Sequence, residues 1–111
     1  MRTFDGKLLI NGKWIAASNG ATEEIKSPYN GSVAGVAAVA TIKDVESAIA
    51  SAVKGAEVWR RTPAHQRSAI LMKAAALADE RSEEIAQIIS SENGKSLLEA
   101  RGEAGRSGEI I

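Results

Sequence analysis

The feature that most constrains this chain is a corner, Ser90-Ser91-Glu92-Asn93-Gly94-Lys95, between two helical patterns. Ile85, Ile88 and Ile89 recur at helical spacing and paint one apolar face, and the next member in that register is Glu92. Asn93-Gly94 then ends the helix, because glycine takes the left-handed conformation past a helix end at little cost. Ser96 and Glu99 have capping-box spacing, so a second helix starts at once. Upstream, Ile70, Leu71, Ala74, Leu77 and Ala78 mark another apolar face, with Thr62 as the expected N-cap and Pro63 at the first helical position. A carboxylate on the buried side of a helix is costly unless something meets it. Glu92 is therefore expected to be buried against a partner.

Length and charge narrow the rest. With 111 residues the chain is one domain at most. Fourteen basic residues balance fourteen acidic ones, so no overall field draws in nucleic acid or an anionic membrane, and neither partner is expected. No apolar run reaches spanning length, and the first twenty residues lack a signal-peptide layout, which makes a cytoplasmic location the expectation. Cysteine is absent and His65 is the single histidine. That excludes disulfides, thiolate metal sites and a cysteine nucleophile, and argues against a zinc site or a histidine-dependent triad.

Taken in order, Leu8 to Ile15 reads as two short strands around Asn11-Gly12, a strong hairpin signal. Glu23 to Ser27 reads as a strand, Pro28-Tyr29-Asn30-Gly31 as a turn, and Ser32 to Ala40 as a further strand. Gly31 and Gly35 do not form a phosphate loop, and no G-x-G-x-x-G occurs. Thr41 caps a long helix with Asp44 at the reciprocal position, and Val45, Ile49, Ala52, Val53, Ala56 and Trp59 form its apolar face. Gly102, Gly105 and Gly108 fall inside the last helix, each at a cost of roughly 1 kcal/mol relative to alanine. They are expected to face a neighbour that needs close backbone approach. Ile110-Ile111 ends the sequence in mid-pattern with no stop signal, which reads as the front end of a longer polypeptide.

The order of these pieces is similar to the opening of the aldehyde dehydrogenase superfamily. Leu9-Ile10-Asn11-Gly12-Lys13-Trp14 followed by Ser27-Pro28-Tyr29-Asn30-Gly31 resembles its "ING-x-W … NP-x-x-G". Arg67 to Leu77 is similar to its "R-x-x-x-L-x-x-x-A-x-x-L" helix, and Glu92-Asn93-Gly94-Lys95-Ser96 through Glu99-Ala100 to its "E-T-G-K-P-x-x-E-A". Ser27, Asn93 and Ser96 depart from the commoner Asn, Thr and Pro. The resemblance implies an α/β, Rossmann-like parent fold. Within it, residues 1–40 form an N-terminal β-arm, and residues 41–111, with about four helices, form the first part of the cofactor-binding domain.

The same resemblance implies oxidation of a small-molecule aldehyde to a carboxylic acid with NAD or NADP through a cysteine thioester. The nucleophile and cofactor residues would lie beyond residue 111, so no catalytic or cofactor-binding residue is assigned here. This segment would be inactive alone, have the remainder of its own chain as its partner, and form a homo-oligomer when full length. The alternative is a stand-alone, non-catalytic binding or assembly module. Two sites carry expectations. Glu92 either accepts backbone hydrogen bonds or pairs with a cation-bearing side chain, or else it holds Na+ or K+, since hard cations prefer oxygen ligands; for the latter the resemblance adds the main-chain oxygens of Ile25 and Lys26. Arg106 either pairs with Glu103 on the helix surface or, by resemblance, stands at the entrance for anionic aldehydes.

Overall fold

A computed structural model of the chain describes residues 4–111, which separate into two compact units. The first runs to Lys26 and continues with Val33–Arg61; the second comprises Ser27–Ser32 and Thr62–Ile111.

Five short strands, β1 (Phe4–Gly6), β2 (Leu8–Ile10), β3 (Lys13–Ile15), β4 (Thr22–Lys26) and β5 (Val33–Ala38), precede the helix α1 (Ile42–Arg61) in the first unit. Strands β2 and β3 pair only with each other, Leu8 opposite Ile15 and Leu9 opposite Trp14. Their loop is Asn11-Gly12, with φ of 52° and 72°. Two adjacent positive-φ residues match the twist of the flanking strands, which is why Asn-Gly makes this hairpin. The other sheet has the order β1-β5-β4, with β1 parallel and β4 antiparallel to β5. Nothing in the residue pattern announced β1. Its parallel partner lies some thirty residues away, and such pairing leaves no local turn signal. The central position of β5 explains its small residues, since Ala34 and Gly35 are buried. The β4–β5 register shifts between Ile25 and Lys26, a bulge that interrupts the ladder there.

The start of α1 is tied to the β-arm. Thr41 and Asp44 bond reciprocally as the sequence predicts: the Thr41 N–H donates to Asp44 Oδ2 at 2.9 Å and the Asp44 N–H to Thr41 Oγ1 at 3.2 Å. Ser18, 26 positions away, adds its N–H at 3.0 Å and its hydroxyl at 3.2 Å to the same Oδ2. Asp44 is the buried residue of α1. The apolar stripe of that helix stays open, with Ile49 59% and Val53 61% exposed.

The second unit contains the Ser27–Ser32 turn and the helices α2 (Ala64–Glu80), α3 (Ser82–Asn93), α4 (Leu97–Ala104) and α5 (Ser107–Ile110). The N-cap of α2 falls on Pro63 and not on Thr62, and the Pro63 carbonyl accepts the N–H groups of Gln66 and Arg67. Proline brings no side-chain cap, but its set φ positions that carbonyl for the first helical bonds. The packed centre lies between α3 and α4, where Ala86, Ala100 and Ala104 are fully buried and flanked by Ile85, Ile89 and Leu97. Alanine on both faces lets two backbones approach closely.

The expectation of one glycine-bearing final helix is corrected. The helix ends at Gly105, which is the C-cap of α4, and a separate single turn follows. The reason is that Arg106 N–H turns to the Glu103 carbonyl in a tight three-residue closure that breaks the α-helical ladder. A Cβ on Gly102 would meet open space, and one on Gly105 only the carbonyl of its own Arg101. At Gly108 a Cβ would meet the Asp79 carboxylate of α2, the mobile end of an exposed side chain and not a backbone, so the expected close backbone approach is not found at these three glycines.

Candidate functional site

The corner forms as the residues dictate. Gly94 adopts φ 79° and its N–H closes α3 onto the Ser90 carbonyl at 2.9 Å. A Cβ on Gly94 would stand 2.6 Å from Pro28 Cγ, so glycine is required twice, by its left-handed backbone and by the proline against it. Ser90 Oγ donates to the Lys95 carbonyl at 2.9 Å and fastens the exit from the corner. Ser96 then caps α4: its hydroxyl accepts the Glu99 N–H, and Glu99 Oε2 accepts both the Ser96 hydroxyl and the Ser96 N–H. The Ser96 hydroxyl, followed by its N–H, holds the Glu99 carboxyl below the usual carboxylate range. Farther along, Arg101 of α4 grips Glu83 of α3 through two bonds of 2.9 Å. That guanidinium, helped by Gln87, brings the Glu83 carboxyl down to about 2, and Glu83 in turn raises Arg101.

Glu92 lies in the last turn of α3 on the side of Ile85, Ile88 and Ile89, but half-buried and not fully buried as expected. A position one residue from the helix end keeps part of its side chain in water. Its carboxylate takes no hydrogen bond and no ion pair among the described residues, so the protein-ligand half of the expectation for Glu92 is not met within them. Ile25 and Lys26 belong to the first unit, opposite the extra residue Ala34 of β5, since they pair with Gly35 and Val33; Ile25 is half-buried and Lys26 exposed. No group of three or more His, Asp or Glu side chains suited to a metal ion occurs among the described residues.

Arg106 borders an open groove of about 470 Å³ lined by Lys95, Glu99, Gly102 and Glu103. The anticipated Glu103–Arg106 pair does not form. Glu103 instead binds Lys95 at 2.7 Å, because a lysine extending from the corner reaches it across one face of α4. Arg106, exposed beyond the end of α4, has no side-chain partner among the described residues. The groove thus presents the Lys95–Glu103 pair, the Glu99 carboxylate and a guanidinium that is unpaired among the described residues.

A nicotinamide cofactor does not fit these residues. The connection from β5 into α1, Val39-Ala40-Thr41, has no glycine to bring backbone close to a pyrophosphate. The Asp44 carboxylate already stands at the start of α1, lowered from 3.8 to about 2 by the Ser18 N–H and then the Thr41 N–H. A fixed carboxylate at a helix start repels a second anion. Sequence reasoning missed the residues joined over long separations, Ser18 with Asp44 and Glu83 with Arg101, and also Arg67, whose Nε is buried without an acceptor among the described residues. Only the last carried a signal, as the first residue of the α2 pattern.

Residues 14–111 match the model of the aldehyde dehydrogenase family. The chain is 36% identical over 105 residues to a malonate-semialdehyde dehydrogenase of Bacillus pumilus, covering 95% of this chain and 22% of that protein. Malonate-semialdehyde dehydrogenase 1 of Bacillus licheniformis is 35% identical over the whole chain, which spans 24% of it. Among solved structures, the NAD-dependent aldehyde dehydrogenase from Sinorhizobium meliloti superposes with a TM-score of 0.93 at 36% identity, covering 97% of this chain and 22% of that one. The NADP-dependent glyceraldehyde-3-phosphate dehydrogenase from Bacillus halodurans, complexed with NADP, gives 0.93 at 30% identity, covering 97% and 23%. The chain therefore spans about a fifth to a quarter of the length of these relatives. The departures at Ser27, Asn93 and Ser96 leave the turn, the left-handed corner and the cap in place, and with the order of strands and helices they make this chain a member of the aldehyde dehydrogenase family.

Proposed function

We propose that the chain is the N-terminal part of an NAD(P)-dependent aldehyde dehydrogenase that oxidises an aldehyde to a carboxylic acid through a cysteine thioester. Alone it is inactive, and the complete enzyme is a cytoplasmic homo-oligomer. In it, residues 1–40 serve as an arm and residues 41–111 as the opening helices of the cofactor-binding domain. The observation that carries this reading is agreement over nearly the whole chain, at a TM-score of 0.93, with about a fifth of an enzyme. Two physical features support it: the apolar faces of α1 and α2 lack cover, and the buried Arg67 Nε lacks an acceptor among the described residues. The purified 111-residue chain should reduce neither NAD+ nor NADP+ with any aldehyde, since it holds no thiol and no pyrophosphate cradle. Its reading frame should continue past Ile111 into a segment containing a cysteine. A stop codon there would favour the stand-alone assembly module instead.

Within that enzyme the substrate is a small aldehyde bearing a carboxylate, as the names of the malonate-semialdehyde relatives suggest, and Arg106 receives the anion at the entrance. In the complete enzyme, Arg106→Ala should raise KM for a carboxylated aldehyde about tenfold or more and leave a neutral aldehyde nearly unaffected. Equal effects on both would return Arg106 to the solvated surface. Glu92 binds Na+ or K+ together with main-chain oxygens of Ile25 and Lys26. Its carboxylate, without a partner among the described residues, and the register shift at those two residues support this role. Melting the complete enzyme in potassium, in sodium and in a bulky organic cation, with and without Glu92→Gln, tests it: cation-specific stabilisation should vanish in the variant.

A further inference from the structure

We propose that Asn11 is a site of spontaneous covalent modification, deamidating to aspartate and isoaspartate ahead of every other asparagine in the chain. Four Asn-Gly pairs occur, at Asn11-Gly12, Asn19-Gly20, Asn30-Gly31 and Asn93-Gly94. All four asparagines are exposed and all four glycines have positive φ, so neither composition nor exposure ranks them. Hydrogen bonding does. The reaction needs the amide nitrogen of the glycine and a free asparagine side chain. Gly20 N–H is held by the Ala17 carbonyl at 2.8 Å, Gly31 N–H by Ser27 at 2.8 Å and Gly94 N–H by Ser90 at 2.9 Å. Asn19 Oδ1 is further held by the Ala21 N–H, and Asn30 Oδ1 by the N–H and hydroxyl of Ser32. Asn11 and Gly12 differ. Among the described residues the Asn11 side chain makes no hydrogen bond and Gly12 N–H donates none, because the ladder of a two-residue hairpin loop closes between Ile10 and Lys13.

The chemistry balances with water as the only co-reactant. Gly12 N loses its proton to solvent base and attacks Asn11 Cγ. The N–Cγ bond forms, the Cγ–Nδ2 bond breaks, and the departing nitrogen takes up protons and leaves as ammonia. Water then opens the cyclic imide at either carbonyl. One product is aspartate; the other, isoaspartate, routes the main chain through Cβ. Both add a negative charge, and the second lengthens the loop by one carbon. That loop sets the pairing of Leu9 with Trp14 in a two-stranded sheet that no further strand extends among the described residues.

Incubating the full chain in neutral buffer and in concentrated urea, followed by trypsin and mass spectrometry, tests the proposal. The four asparagines fall on separate peptides ending at Lys13, Lys26, Lys43 and Lys95, and electron-transfer fragmentation separates the two acid products. In native buffer Asn11 should convert about tenfold faster than each of the other three, which must first give up the bonds that hold them. In urea the four rates should converge. Conversion of any other site as fast as Asn11 in native buffer, or the same ranking in urea as in buffer, would overturn the proposal.

Discussion

The α3–α4 pair and the helix α1 are built from similar amounts of apolar sequence and put it to different use. Between α3 and α4, Ala86, Ala100 and Ala104 reach zero exposure, and Ile85, Ile89 and Leu97 close around them. In α1 the isoleucine and valine stripe is intact, yet Ile49 and Val53 remain more than half exposed, and the residue it buries is the acid Asp44. One region is held by contact between small side chains, the other by a polar fastening at its first turn. An amphipathic stripe thus states only that a helix has a side to cover; whether the cover lies in the same chain is a separate matter. Alanine that is fully buried is the more telling mark, since it is of use only where a second backbone is already close.

The largest test of this contrast is to enlarge one buried alanine and trim one exposed isoleucine. Ala100→Leu should destabilise the chain by about 1–3 kcal/mol through overpacking, whereas Ile49→Ala should stay within about 0.5 kcal/mol, as surface changes do. Urea midpoints of the two variants would measure it, and comparable losses would break the comparison. Next comes Gly94→Ala, which forces a Cβ into the left-handed conformation at about 1–2 kcal/mol and presses it on Pro28. Amide exchange should report the loss at the corner and at the Pro28 turn and leave the β2–β3 hairpin unchanged.

The smallest expected effect is the share of the pH dependence that Asp44 contributes in the other region. Folding lowers the Asp44 carboxyl from 3.8 to about 2, so the folded chain binds that proton more weakly than the unfolded one. The stabilisation is therefore complete above about pH 4 and is lost as the pH falls towards 2. Glu83, held down by Arg101, titrates in an overlapping range, so the informative quantity is the difference between the parent and Asp44→Asn. Urea midpoints followed from pH 5 downward should converge for the two proteins at the acid end; a constant gap would show that Asp44 acts without its charge.

What the residues determined alone is what a few neighbours can decide. The hairpin at Asn11-Gly12, the Thr41–Asp44 and Ser96–Glu99 caps and the left-handed stop at Gly94 each depend on groups within four positions of one another. Over that distance the chain has few conformations to choose among, so residue type suffices. Tertiary structure decided the rest. It brought β1 beside β5, added Ser18 to the Asp44 cap, and joined Arg101 to Glu83. It also gave Glu103 to Lys95 although Arg106 stands nearer in sequence, and so left the guanidinium unpaired among the described residues. Those pairings compare partners that are equivalent as residue types and differ only in where folding puts them. Interactions between surface charges are too weak to direct that placement, so they follow the packing and cannot be read ahead of it.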